Sequence, residues 1–356
     1  MSSSGRIRVA IAGIGNCTSS LVQSPVLYGS SDAPTIGLAR PDLGGYSVAD
    51  IDFVAAFEVD GRKVGLDLAD AIVAAPNCTT SYVAVPPSGV IVKSAPLLDG
   101  LPQHIATSTP LTTEPPVDVA EELRTTGTDV LVCELPGGSA EATAYYAGAA
   151  LEARVAFINC NPERIANDPA WRQRFADAGV PLLGDDIKSQ LGTTVLHRTL
   201  LELVERRGFT VDRSYQLNFG GNTDFLNMRD RRRFDTKQNS KLGSISKSIS
   251  RGGDINLVPP EYIDFLKDEK IAYVRIEATG FLGMKAALEV RLNVEDSPNS
   301  SGVVVDAIRV AKVARDRNEG GFLRGVGTAF FKNPPDCIPE VGATAAMDDF
   351  LRRAET

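Results

Sequence analysis

Apolar residues come first in short continuous runs and, beyond about the middle of the chain, in alternation. Ile7–Ala12 is an apolar run with Arg8 as its one charge, ending in Gly13-Ile14-Gly15. Short and rich in β-branched residues, it predicts a buried strand. Asn16–Val22 continues in a helical pattern, and Phe53–Phe57, closed by Glu58 and Asp60, predicts a second strand. Residues 24–50 between them are rich in Gly, Pro, Ser and Asp, which predicts an excursion over the surface. Strand-like runs recur at Gly89–Val92, Val130–Cys133, Val155–Asn159 and Val180–Leu183, with helical segments at Val117–Thr125 and Ala140–Leu151. Such repetition implies a doubly wound parallel sheet with helices on both faces. From Tyr215 the pattern changes to an Asn/Gly-rich turn (Asn218–Asn222), a basic segment and two alternating strands, Ile271–Glu277 and Ala287–Val294. That passage suits an antiparallel or mixed second sheet. An apolar-striped helix, Gly302–Arg317, then returns to the first domain.

Length adds a domain count: 356 residues point to two domains rather than one. The net charge of -8 argues against nonspecific nucleic-acid binding, which needs a basic surface. It leaves room for a phosphorylated metabolite, which needs only a local positive pocket. The five cysteines are dispersed without a CxxC pair, and the two histidines lie far apart. A disulfide framework and a metal site are therefore not expected, and a reduced, cytoplasmic protein is. Neither a secretory leader nor an apolar run of roughly 20 residues is found, so no membrane span is expected.

Gly13-Ile14-Gly15-Asn16-Cys17-Thr18 follows a strand and opens a helix. Glycines in that setting permit a tight turn and let backbone N–H groups reach a pyrophosphate. The third glycine of the usual fingerprint is replaced by Thr18. Glu58 or Asp60, at the end of the second strand, would hold the adenosine ribose hydroxyls and favour NAD over NADP, because a 2′-phosphate would be repelled.

Longer strings carry a resemblance. Gly13–Val22 (GIGNCTSSLV), Gly184–Thr193 (GDDIKSQLGT), Asn218–Met228 (NFGGNTDFLNM), the lysines Lys237 to Lys241, Glu295–Ser300 (EDSPNS) and Phe331–Pro335 (FKNPP) run from one end of the chain to the other. In them the sequence resembles the inositol-1-phosphate synthase family in its short bacterial and archaeal form. The resemblance implies an α/β, Rossmann-type doubly wound parallel sheet into which an α+β catalytic and tetramerisation domain is inserted. That places an NAD-binding domain at residues 1–198, the insertion at 199–300 and a return to the first domain at 301–356. It also implies a homotetramer, bound NAD, and a hexose phosphate as substrate. In the implied reaction hydride leaves C5 of glucose 6-phosphate, the ketone acidifies C6, the enolate attacks the C1 aldehyde, and hydride returns to the ring.

Each step builds negative charge on an oxygen, which positioned ammonium groups would stabilise. The resemblance assigns Lys237, Lys241, Lys332 and Lys188 to catalysis, with Asp185 and Asp186 beside Lys188 and Asp296 as acids that can orient the lysines and relay a proton. A fifth lysine is either Lys270 or Lys285, and Lys285 is taken as a substrate contact. Gly13, Gly15, Asn16, Cys17, Pro136, Gly138, Asp185 and Ser297 are assigned to the cofactor with Glu58 and Asp60. Ser189, Asn222 and Asp224 are candidates for the substrate's phosphate and hydroxyls. Phe225, Met228, Trp171 and His197 read as packing residues, and Arg229–Arg233 as a solvated face or oligomer contact.

Several positions depart from the family pattern: Thr236–Ser240 in the lysine cluster, Glu134-Leu135-Pro136-Gly137-Gly138 where PVG is usual, and Asn159-Cys160-Asn161-Pro162-Glu163. They leave open a paralogue running the same cycle on another hexose phosphate, such as fructose 6-phosphate closed to a five-membered cyclitol. A catalytically inactive NAD-binding protein and a simple dehydrogenase releasing NADH are the remaining alternatives.

Overall fold

The computed structural model describes residues 5–29, 35–107, 109–230, 233, 245, 253–332 and 334–353. In chain order its strands are β1 (Ile7–Ala12), β2 (Ile51–Glu58), β3 (Lys93–Ser94), β4 (Val130–Cys133), β5 (Ala156–Asn159), β6 (Pro181–Leu183), β7 (Thr210–Gly220), β8 (Asp254–Leu257), β9 (Glu261–Tyr262), β10 (Glu269–Thr279), β11 (Lys285–Glu295) and β12 (Gly321–Phe322). The helices that position the site are α1 (Asn16–Tyr28), α2 (Val119–Thr125), α3 (Ala140–Ala153), α4 (Pro169–Ala178), α5 (Thr193–Arg206), α6 (Thr223–Asn227), α7 (Asp296–Asp316) and α8 (Glu340–Arg352).

Seven strands form one parallel sheet in the order β12-β6-β5-β4-β1-β2-β3. β4 and β5 are buried along their whole length, as strands covered on both faces must be. On one face α1 and the 21-residue α7 bury an aliphatic layer that includes Val304, Ile308 and Val310. On the other, α2, α3 and α4 cover Ala10, Leu131 and Phe157. Local chemistry sets the helix limits: α4 starts where Asp168 accepts from Ala170 N with Pro169 at the first turn, and stops at left-handed Gly179.

The second sheet is mixed, in the order β11-β10-β7-β8, with β9 also on β7. β7, β10 and β11 are antiparallel neighbours, whereas β8 and β9 run parallel to β7. One face packs on α5 through Leu201, Val204, Val274 and Ile276. α7 leaves directly from the end of β11 and carries the chain back to the first sheet.

The α/β architecture expected from the sequence is the one observed. Three local expectations change. Gly89–Val92 forms no strand, and its edge position is taken by the two-residue β3. The stretch before β2 is no mere surface excursion, because Leu43, Tyr46 and Val48 are core residues. Buried Arg309 of α7 anchors it by donating to the carbonyls of Arg40, Pro41 and Tyr46. β7 begins before the pattern change at Tyr215. Its inward Ser214, Gln216 and Asn218 hid the strand, and they are tolerated because His197 and Thr193 of α5 meet them. All five cysteines are free thiols. Among the described residues no helix is long and apolar enough to cross a membrane, and no cluster of His, Cys, Asp and Glu is placed to hold a metal.

Candidate active site

Strand order reverses between β1 and β4, and a cleft opens beyond the carboxyl ends of these strands. Its floor is the glycine turn. Gly13 sits at φ +92°, and a Cβ there would meet Glu134 O at 3.0 Å, so neither the conformation nor the space admits a side chain. Gly15 caps α1 without a side-chain bond, and no acid lies in the first turn. The free first-turn N–H groups suit a pyrophosphate. Thr18 replaces the third glycine because its hydroxyl turns back to donate to Gly13 O at 2.6 Å. Asn16 Oδ1 accepts from Cys78 N and Thr79 N, at 2.7 and 3.2 Å, and so ties down the neighbouring loop. Cys17 lines the cleft as a neutral thiol, its pKa pushed well up by burial and then by the acids around it.

Glu58 and Asp60 also line this half. Glu58 accepts from Ile14 N at 2.8 Å and from Val59 N at 2.7 Å, which fixes the carboxylate under the turn. Asp60 is held by both Nε and Nη2 of Arg62. Beside them buried Lys63, unremarked in the sequence, donates to Ile14 O at 2.6 Å and Asn77 Oδ1 at 2.9 Å. Burial pulls its pKa down.

Pro136 reaches the cleft, whereas Gly138 stands behind it, donating its N–H to Glu163 Oε1 at 2.7 Å. In the run expected as a solvated face or oligomer contact, Arg229 is exposed but Arg233 is not. Arg233 is buried at the rim, donating to Gly100 O at 2.9 Å and Asp99 O at 3.2 Å, its stem against Gly138.

The opposite wall comes from the second sheet and α7. Lys270 Nζ meets Asp296 Oδ1 at 2.9 Å and faces the Phe225 ring. Asn222 caps α6 and donates to both Asp268 and Asp296, at 3.1 and 3.2 Å. Ser297 donates to Asp268 Oδ1 at 2.7 Å. Burial raises the Asp268 pKa in spite of these donors. From the chain's far end Lys332 Nζ meets Asp186 Oδ1 at 2.6 Å. Asp224 and Ser189 complete this wall. Ser189, Lys270 and Lys332 also line a small recess that ends at Gly192 and Thr193, the N-terminus of α5.

Four sequence expectations fare differently. Lys188 lines the small recess beside Ser189 but not the main cleft. Its ammonium is buried against Thr328 O at 2.5 Å and Glu340 Oε1 at 2.6 Å, with Arg198 on the same carboxylate, so it anchors α8. Burial lowers its pKa although Glu340 pulls it up. Asp185 lies beneath the cleft and accepts from the backbone N–H groups of Ile165, Ala166 and Asn167, organising the loop before α4. Lys285 stands exposed at the other end of β11, paired with Asp212 at 3.1 Å. Lys237 and Lys241 lie outside the described residues. Lys270, Asp268 and Glu134 are site groups that the sequence reading left without a settled role, whereas Asp186, expected beside Lys188, meets Lys332 instead. Lys270 is one of the two candidates for a fifth lysine, and Glu134 stands in a stretch that departs from the family pattern.

Comparison with known proteins follows this geometry. The family model for myo-inositol-1-phosphate synthase matches residues 192–297. The inositol-3-phosphate synthase of Corynebacterium glutamicum is 45% identical over 99% of this chain and 100% of its own length. The crystal structure of Ari2 is 37% identical, covers 99% of this chain and 100% of that one, and superposes with a TM-score of 0.79. A myo-inositol-1-phosphate synthase-related protein from Thermotoga maritima shares the fold at 23% identity, covering 98% of each chain with a TM-score of 0.80.

Proposed function

The chain belongs to the myo-inositol-1-phosphate synthase family, and on that premise we propose that it is an NAD-dependent isomerase closing glucose 6-phosphate to 1L-myo-inositol 1-phosphate. The observation that carries this is the convergence of Lys270 and Lys332, each held by an acid, on a cleft floored by a dinucleotide-type glycine turn. Bound NAD supplies a hydride acceptor that later returns the hydride.

The chain's own residues do the rest. The recess at the N-terminus of α5 combines Ser189, Lys270, Lys332 and free backbone N–H groups, with buried Lys188 beside them, and so suits the substrate phosphate. With the phosphate anchored there, Lys270 and Lys332 lie along the sugar, where oxyanions develop at C5 and then at C1. Asp296 and Asp186 keep the two ammonium groups in place before substrate arrives, so little reorganisation is needed as charge builds. Lys237 and Lys241, assigned by the family strings, would add charge from the segment that follows α6. Glu58 at the end of β2 favours NAD, since Arg62 is already neutralised by Asp60 and offers a 2′-phosphate little. Residues 199–300 are read as the inserted catalytic and assembly unit of a cytoplasmic homotetramer.

Purified protein with catalytic NAD should convert glucose 6-phosphate to an inositol phosphate, identified by phosphorus and carbon NMR, with no net rise in NADH absorbance. A five-membered cyclitol formed from fructose 6-phosphate alone would move the assignment to the paralogous substrate. Stoichiometric NADH release would refute the cyclase.

A further inference from the structure

Glu134 stands at the end of β4, one residue past the strand, at the point where the cleft passes from the glycine turn to the second sheet. Its backbone is fixed on both sides: its N–H donates to Ala12 O at 2.9 Å, and its carbonyl closes on Gly13. The carboxyl meets the Cys160 thiol, while Oε1 is shut off from solvent and has no hydrogen-bond partner among the described residues. Leaving a buried acceptor unpaired is costly, and most such atoms in native proteins find a donor. The residue as a whole is only half-buried and lines the ligand cleft.

Resting on the cyclase reading above, we propose that Glu134 is the proton carrier for the substrate hydroxyl that is oxidised, with its carboxylate accepting the hydroxyl's hydrogen bond. As the carbinol carbon is oxidised, the C–H electron pair leaves as hydride to the nicotinamide. The hydroxyl proton passes to the Glu134 carboxylate, and the C–O bond becomes a carbonyl. On re-reduction the hydride returns to carbon and the protonated carboxyl gives the proton back, so neither electrons nor protons are consumed.

The surroundings suit a group that must gain and lose a proton near neutrality. Burial raises the Glu134 pKa from the usual carboxyl range to about 7, and Asp224 of α6 adds to the rise. Cys17 of α1, Cys160 after β5 and Cys133 of the same strand are thiols within its electrostatic reach. All three thiols are pushed up by burial and stay neutral, so none competes for the proton.

The test is single-turnover reduction of bound NAD by hexose phosphate, followed by absorbance from pH 5.5 to 8.5, in the wild type and in Glu134→Gln. NAD affinity is measured alongside by fluorescence titration. In the wild type the rate should rise as pH passes through about 7, because the oxidation half needs the carboxylate. The isosteric Glu134→Gln should bind NAD as the wild type does, lose that rise, and reduce the cofactor on the order of 100- to 10,000-fold more slowly. Glu134→Asp should recover part of the rate together with the pH limb. Unchanged rate and profile in Glu134→Gln would overturn the proposal. So would a selective loss of NAD affinity, which would place the carboxyl on the cofactor's carboxamide. A wild type that reduces NAD without cyclising would defeat the cyclase reading and leave the proton step legible in the variant.

Discussion

Lys270 and Lys285 belong to one hairpin, yet only one of them reaches chemistry. The sequence left them open because each lies at or near a strand end in an alternating pattern. The register decides: Lys270 pairs with Val294, next to Asp296, whereas Lys285 pairs with Thr279 at the far end. Eleven residues of strand put those ends about 33 Å apart. Lys270→Met should therefore lower turnover on the order of 100- to 1,000-fold with NAD binding retained, the usual cost of removing a positioned donor to an oxyanion. Lys285→Met should leave steady-state kinetics unchanged. Equal losses in the two variants would show that charge in general, not position, is being measured. Lys188 teaches the converse. Its string marked it as functional, but its ammonium turns toward Glu340, 152 residues away in sequence, a pairing that only the folded chain exposes.

At the level of elements, continuous apolar runs placed β1, β2, β4, β5 and β6 well, because a strand buried on both faces has no polar positions to confuse its reading. β7 was harder, since its core-facing side is polar and is satisfied from α5. There Ser214 Oγ donates to Arg275 O and accepts from His197 Nε2, leaving Nδ1 to face the Gln216 amide. Burial lowers the His197 pKa to about 4, so the ring is neutral in the fold. The other face of this sheet carries Tyr215, Phe219 and Tyr273, and the β10–β11 hairpin carries exposed Phe281, Leu282 and Met284. A solvated sheet face of this kind, with β11 as a long edge strand, is what a subunit contact covers. Light scattering at micromolar concentration should give a tetramer, and Tyr273→Glu should dissociate it while the parallel-sheet domain stays folded. A monomeric wild type would contradict the assembly.

On the scale of the whole molecule, one cleft gathers residues from distant stretches, among them Gly13–Thr18, Glu58–Asp60, Glu134–Gly137, Asp186 and Ser189, Asn222–Phe225, Lys270, Asp296 and Lys332. The parallel sheet supplies a cofactor seat at its switch point. The second sheet and α7 supply cations and their acids, and Lys332 arrives from the C-terminal return beside Asp186. Sequence strings marked most of these stretches, whereas Glu134 stands in one that departs from the family pattern, and the role proposed for it rests on what surrounds it. On the proposed cycle, one bound cofactor oxidises and then re-reduces the same carbon. Glucose 6-phosphate deuterated at C5, turned over with excess free NAD and analysed by mass spectrometry, tests this most directly. Retention of the deuterium in the cyclised product, with the free cofactor unlabelled, is the predicted result, and deuterium appearing in free NADH or lost from the product would contradict it.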